Sequence, residues 1–327
     1  MIKTLEIKNF KSLKHLSLDC KRVNVFIGKP NAGKSNLLES VGIFSLPFRS
    51  LSNSNTIREF IRLENMADLF HDHDLSESVE VRTDYASFQI RFDNRVFKGA
   101  VHEEGKNTDS VGFEVFVNGE IGNTHGEFNS PFRFYRFTAL DKFPRSELDR
   151  LLPPKGENLC QILLTRKDLR KFVADLLREY GLKLVLKQFE NKIEIQKEIE
   201  DVVFSTSYSL LSDTLQRVIF YNTAIDTNKD AIIILEEPEA HAFPYYTKFL
   251  AERIALDASN QYFVATHNPY FLSSVLEKTP QDDIAIFIAY FEDNQTKLRS
   301  IAQEEMVEVL DLDADVFFNL ERFVERS

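Results

Sequence analysis

Residues Gly28-Lys29-Pro30-Asn31-Ala32-Gly33-Lys34-Ser35 form a G-x-x-x-x-G-K-[ST] run, and no other stretch restricts the fold of the chain as tightly. Such a run needs a buried strand before it and a helix after it, so that loop amides and a helix N-terminus converge on one anion. Both flanks are present: residues 23–27 are largely apolar, and Leu37, Leu38 and Val41 share one face of a following helix. The expected phosphate contacts are Gly28, Lys29, Pro30, Asn31, Ala32, Gly33, Lys34, Ser35 and Asn36. Lys34 reaches the outer phosphates of a nucleotide, and the Ser35 hydroxyl is the expected Mg²⁺ ligand.

Two further segments carry chemistry. Residues 231–235 read as a buried strand running into Glu236-Glu237-Pro238-Glu239-Ala240-His241. A strand that ends in paired carboxylates presents them at the C-terminal edge of a sheet, beside the phosphate loop. Glu236 then suits Mg²⁺, and Glu237 suits orienting or deprotonating the attacking water. Residues 262–265 form the next strand and end at Thr266-His267-Asn268-Pro269, which makes His267 a candidate γ-phosphate contact. The catalytic set expected from the sequence is Glu237, His267 and Lys34.

The organisation around these segments changes along the chain. Residues 1–45 read as three strands, a Gly-rich turn and a helix. From about residue 79 to 117 the apolar positions alternate with period two, and Asp93-Asn94 and Asn118-Gly119 supply hairpin turns. This predicts an antiparallel meander distinct from the nucleotide core, with a further strand at 132–137. Residues 157–180 predict a helix, with Leu169, Phe172, Val173, Leu176 and Leu177 on one stripe and Gly181 as its stop. That stripe is too short for a coiled coil. After residue 205 strands and helices alternate: strands at 231–235, 262–265 and 284–290, helices at 245–256, 270–276, 304–310 and 314–324. The expected fold class is α/β, a P-loop NTPase with a mixed central sheet, an N-terminal antiparallel β subdomain and an inserted antiparallel and helical lobe. Residues 1–327 form one head, its nucleotide core from 1–45 and 205–300 and the inserted lobe from 46–204.

Composition narrows the class further. Forty Lys and Arg stand against 51 Asp and Glu, a net charge of −11, which argues against a protein that coats nucleic acid. The longest apolar runs fall far short of the roughly 20 residues of a membrane span, and no secretory leader is expected after Met1. The two cysteines, Cys20 and Cys160, make neither a disulfide framework nor a zinc site. The chain reads as a cytoplasmic protein without membrane contact.

Taken together these segments resemble the ABC-type ATPase heads of the RecF/SMC/OLD group. The opening Ile2-Lys3-Thr4-Leu5-Glu6-Ile7-Lys8-Asn9-Phe10-Lys11-Ser12 looks like the first strand and Asn-Phe pair of that group. Leu235-Glu236-Glu237-Pro238-Glu239-Ala240-His241 and Thr266-His267-Asn268-Pro269 are similar to the acidic motif and switch histidine of OLD-like ATPases. The resemblance spans about residues 1–45 and 205–280. It implies ATP and Mg²⁺ as cofactors and ATP hydrolysis as the activity, with Ser35 and Glu236 as metal ligands. It also implies a homodimer in which each site is completed by a signature segment of the partner copy. By position that segment is 207–217, where Ser209 or Ser212 caps a helix facing the other copy's γ-phosphate. The usual signature glycines are absent, since no glycine occurs after Gly181. A Mg²⁺-sensing glutamine is also implied, yet none occurs between Asn36 and Phe88. Residues 68–74, Asp-Leu-Phe-His-Asp-His-Asp, could border the nucleotide and also have the composition of a metal cluster.

The stretch after Pro280 is too short for the nuclease domain of full-length OLD proteins. The resemblance therefore implies an OLD-like ATPase without that domain, working in DNA repair or in phage and mobile-element defence beside a separate, nuclease-like effector, with DNA as a candidate partner. The alternative is an ATP-gated binding module with little or no hydrolysis. A guanine-nucleotide switch is disfavoured because neither Asn228-Lys229-Asp230-Ala231 nor Asn191-Lys192-Ile193-Glu194 completes an Asn-Lys-x-Asp motif. A transporter ATPase would carry the Gly-rich signature and an Asp-Glu pair.

Overall fold

The computed structural model describes residues 1–46, 57–105, 111–126, 128–144, 146 and 148–325. The chain opens with β1 (Thr4–Phe10), β2 (Leu13–Asp19) and β3 (Val23–Gly28), then α1 (Lys34–Gly42). Next come β4 (Val79–Thr83), β5 (Ala86–Asp93), β6 (Val96–Glu103), β7 (Val111–Val115) and β8 (Ile121–His125). The middle continues with β9 (Phe132–Tyr135), α2 (Leu159–Thr165), α3 (Lys167–Arg178), β10 (Leu182–Lys187), β11 (Lys192–Ile199) and β12 (Val202–Ser207). The remainder alternates: α4 (Asp213–Thr227), β13 (Ile232–Glu236), α5 (Pro244–Leu256), β14 (Gln261–Ala265) and α6 (Pro269–Lys278). It closes with β15 (Ile284–Glu292), β16 (Gln295–Ser300), α7 (Gln303–Leu312) and α8 (Leu320–Val324).

Among the described residues the strands form three sheets. The central one has six strands in the order β16-β15-β3-β14-β13-β9. Five of its members run parallel, and β16 is antiparallel at the edge. β3 is buried along its whole length, as expected of a strand covered on both faces. Its alternation feeds two separate cores. Val23, Val25 and Ile27 face α3 to α6, with Ile233, Leu235 and Val264 beside them. Phe26 faces the opposite way and stacks on Phe287, with ring centroids 5.2 Å apart. Each such buried side chain contributes about 1.5–3 kcal/mol through apolar burial.

The second core is roofed by a seven-stranded antiparallel sheet, order β2-β1-β4-β5-β6-β7-β8. Helix α1 lies between that sheet and the central one; Leu37, Leu38 and Val41 all enter the core they share. Gly42, at the end of α1, lets Phe134 of β9 come close: a Cβ there would sit 2.6 Å from the ring. The third sheet, β10-β11-β12, is a small antiparallel layer next to α3.

Several boundaries differ from the sequence expectation. The meander is not separate from the N-terminal strands, because β4 pairs with β1 through Leu5–Thr83, Glu6–Arg82 and Ile7–Val81. β9, inside the expected insertion, belongs to the central sheet and runs parallel to β13. Period-two alternation shows that a strand has one buried face but not which strand it pairs with. The helix expected over 157–180 is broken at Arg166 into α2 and α3, and the one over 314–324 is a 3-10 turn and then α8. Strands β10 to β12 and β16 lie outside the sequence expectation; β10 and β11 alternate apolar with charged or polar positions, and β16 is mostly polar. Among the described residues no helix is long and apolar enough to cross a membrane.

Candidate nucleotide site

The phosphate loop leaves β3 at Gly28 and enters α1 at Lys34. Gly33 has φ +93, and a Cβ there would lie 2.0 Å from the Thr296 hydroxyl oxygen, so only glycine fits both the backbone and the space. Lys34 is folded back across the loop, its Nζ donating to the carbonyls of Gly28 and Lys29, each at 2.8 Å. Burial lowers its pKa to about 8, against the opposing pull of Glu237. Its ammonium is held among carbonyl oxygens at the place where a triphosphate would offer better ones. Asn36 donates to the Ser12 hydroxyl at 2.8 Å, and Ser12 is 2.7 Å from the Thr296 hydroxyl. The turn after β1 is thereby tied to the loop and to β16.

Two neighbouring parallel strands, β13 and β14, also end here beside β3. β13 delivers Glu236, whose carboxylate is favoured in its charged form by the neighbouring Ser35 hydroxyl. The turn beyond it sets Glu237 at φ +44, with its N–H donating to Ala265 O of β14 at 2.9 Å. β14 delivers His267, whose Nε2 lies 3.4 Å from Glu237 Oε1. Burial lowers the His267 pKa, the Lys34 charge lowers it further, and Glu237 opposes both. At neutral pH the imidazole is therefore a neutral hydrogen-bonding group. Lys34, Ser35, Glu236, Glu237 and His267 thus meet at one sheet edge.

Behind this edge, Thr266 donates to the Glu239 carboxylate, and Asn268 N–H donates to Thr266 Oγ1 at 3.0 Å. Asn268 in turn caps α6 by accepting from Phe271 N–H at 3.2 Å. Burial raises the Glu239 pKa to about 7, and its Oε2 has no hydrogen-bond partner among the described residues.

Sequence reasoning missed a charge network beside Glu236. Glu39 of α1 is fully buried and one helical turn beyond Ser35. It accepts from Lys11 Nζ at 2.5 Å, Arg62 Nε at 2.7 Å and Arg136 Nη2 at 3.0 Å. Arg62 and Arg136 also hold Glu236, at 2.8 and 3.2 Å. Burial opposes the ionised form of Glu236, but the Ser35 hydroxyl and the two guanidinium groups outweigh it and keep its pKa below the ordinary value. The one available sequence signal was a glutamate beside the apolar positions of α1.

The remaining expected residues fall into place differently. Ser212 caps α4, its Oγ accepting from Leu215 N–H at 3.4 Å. Ser209 is not the cap; it donates to the Asp141 carboxylate instead. Lys29 forms an ion pair with Glu321 of α8, and Pro30 and Ala32 line a groove with the same helix. The polar run 68–74 builds turns. Asp68 accepts from the N–H groups of Glu64 and Asn65, and His71 Nδ1 lies 2.7 Å from Lys11 O. No metal-binding group of His, Cys, Asp and Glu side chains is present among the described residues. The run does border an open cleft of about 790 Å³, shared with Lys11, Ser12, Arg62 and Asn294.

Comparison with known proteins gives the family and the fold. The family model for the AAA ATPase domain matches residues 1–222. An ATP/GTP phosphatase of Helicobacter pylori is 22% identical over 354 residues, covering 93% of both chains. The crystal structure of an SMC head bound to the C-winged helix domain of ScpA superposes with a TM-score of 0.53 at 16% identity. That match covers 93% of this chain and 99% of that one. The fold is that of an SMC head.

Proposed function

The chain belongs to the AAA ATPase domain family and is an ATPase, and from that premise we propose that it is a Mg²⁺-dependent switch that closes as a dimer around ATP. The observation that carries this reading is the convergence of Lys34, Ser35, Glu236, Glu237 and His267 at the ends of three adjacent parallel strands and the first turn of α1. Lys34 exchanges its loop carbonyls for phosphate oxygens, and the loop amides hold the β-phosphate. The Ser35 hydroxyl and the Glu236 carboxylate, close enough that the hydroxyl favours the charged carboxylate, are hard oxygen donors that suit Mg²⁺. Bound there, Mg²⁺ neutralises charge that develops on the β- and γ-phosphates. Glu237 positions and deprotonates water for in-line attack, and neutral His267 hydrogen-bonds the γ-phosphate. The cleft beside Lys11, Ser12 and Arg62 leaves room for the nucleoside.

In the dimer, the Ser212-capped N-terminus of α4 faces the partner's γ-phosphate, an anion site by helix geometry. Work in DNA repair or mobile-element defence with a nuclease-like effector, in the cytoplasm, is the context the resemblance supports. The double guanidinium hold on Glu236 favours a second reading, in which bound ATP is sensed for longer than it is hydrolysed. The site is tested by Lys34→Ala. Loss of ATP binding at least ~100-fold, read by calorimetry, is expected when a phosphate-facing cation is removed. Undiminished affinity would overturn the assignment.

A further inference from the structure

The charges beside Glu236 do not cancel. Lys11, Arg62 and Arg136 stand against two carboxylates, Glu39 and Glu236. The three cations come from three parts of the chain: the turn after β1, the segment beyond α1, and the end of β9. Glu39 is sealed away from solvent, so it is a fixed counter-charge. Glu236 is the only member of the pair also placed to meet a metal.

The two arginines are held differently. Arg62 is the more exposed, its side chain 54% accessible against 25% for Arg136. Arg136 has its Nη2 on Glu39, its Nε on Glu236, and its guanidinium carbon 5.0 Å from the centroid of the Phe134 ring. Its backbone N–H donates to Pro154 O at 2.9 Å. It cannot swing away without leaving a buried carboxylate short of a partner and a ring without its cation. Its place is dictated by the parallel register of β9 on β13, which pairs Tyr135 with Leu235 and sets the next residues, Arg136 and Glu236, side by side.

We propose that Arg136 is a positioning residue that competes with Mg²⁺ for Glu236, so that this chain loads the metal more weakly than a neutral side chain at the end of β9 would allow. A divalent cation that approaches Glu236 meets a guanidinium already hydrogen-bonded to Oε2, and like charges at contact distance oppose each other strongly in a partly buried site. Glu39 sets the strength of that opposition by neutralising part of the arginine charge. The more exposed Arg62 is released to solvent or nucleotide when the metal enters; Arg136 stays. The inference rests on the Ser35–Glu236 pair as the Mg²⁺ site.

The test is a binding titration with ATP carrying a fluorescent ribose label, in which Mg²⁺ is varied from an EDTA baseline for the wild type, R136Q and E39Q. R136Q is expected to lower the half-saturating Mg²⁺ concentration about tenfold, the scale of one partly buried charge-assisted contact. E39Q is expected to raise it, because removing the buried counter-charge leaves more positive charge on Glu236. Opposite shifts from two substitutions in one network are not a signature of general loosening. Should E39Q fail to fold, R136K, which keeps a positive charge at the strand end, is expected to stay above R136Q. Unchanged Mg²⁺ dependence in R136Q, with nucleotide affinity lowered equally at every Mg²⁺ concentration, makes Arg136 a phosphate ligand and overturns the proposal. If the wild type binds nucleotide but Mg²⁺ has no effect on it, both this inference and the metal assignment fall.

Discussion

Glu237 occupies a left-handed backbone conformation, φ +44, that few residues other than glycine adopt. The turn is tolerated because its N–H is anchored to Ala265 O, and the result is a carboxylate aimed along the sheet edge at His267. Replacing it by Gln keeps the shape and removes the base proposed above. Glu237→Gln is expected to slow ATP turnover by about 10²–10⁴-fold with little change in ATP affinity, the scale of general-base loss; wild-type single-turnover rates would move the base elsewhere. Glu239 lends itself to a measurement of stability. Its pKa is raised to about 7 by burial, while in the unfolded chain it titrates near the ordinary carboxylate value. Between these two values the folded state binds more protons than the unfolded one, so stability falls as pH rises through that window. The loss, on the order of 3 kcal/mol, is complete once the pH has passed the folded-state value. Glu239→Gln is expected to flatten this part of the pH profile in urea denaturation between about pH 5 and 8; an unaltered slope would assign the dependence to another group.

At the scale of elements, α1 connects the parts. Its first turn carries Lys34 and Ser35, its second Glu39, and its apolar face packs between two sheets. Gly42 permits β9 to approach at its far end. A methyl group added there meets the Phe134 ring at 2.6 Å, and overpacking of this kind costs about 1–3 kcal/mol. Gly42→Ala is therefore expected to lower the denaturation midpoint and, through Phe134 and the neighbouring Arg136, to disturb the Glu236 pairs; a stability equal to the wild type's would show that β9 yields. The N-cap of α4 is a smaller contribution: Ser212→Ala should cost ~1 kcal/mol, readable in the same experiment.

For the whole molecule, the seven-stranded sheet and the central sheet pack on α1 from both sides. If two copies close on ATP, the Glu237→Gln variant is expected to sediment as a dimer at saturating ATP and as a monomer without it. A monomer under both conditions would remove the role given to residues 207–217.

The amino-acid order alone determined the phosphate loop, the paired carboxylates after a buried strand, and the histidine after the next. Each depends on spacing within a few residues, where strand and helix periods act directly. It did not reveal that Lys11, Arg62 and Arg136 surround Glu39, or that β9 lies beside β13, because these contacts join residues far apart in the chain and depend on sheet pairing. Nor did alternation in residues 79–117 show that the meander extends the N-terminal sheet. A buried charge is stable only with partners, and which partners reach it was settled by tertiary packing, where strand order and helix placement bring distant side chains within a hydrogen bond of one another.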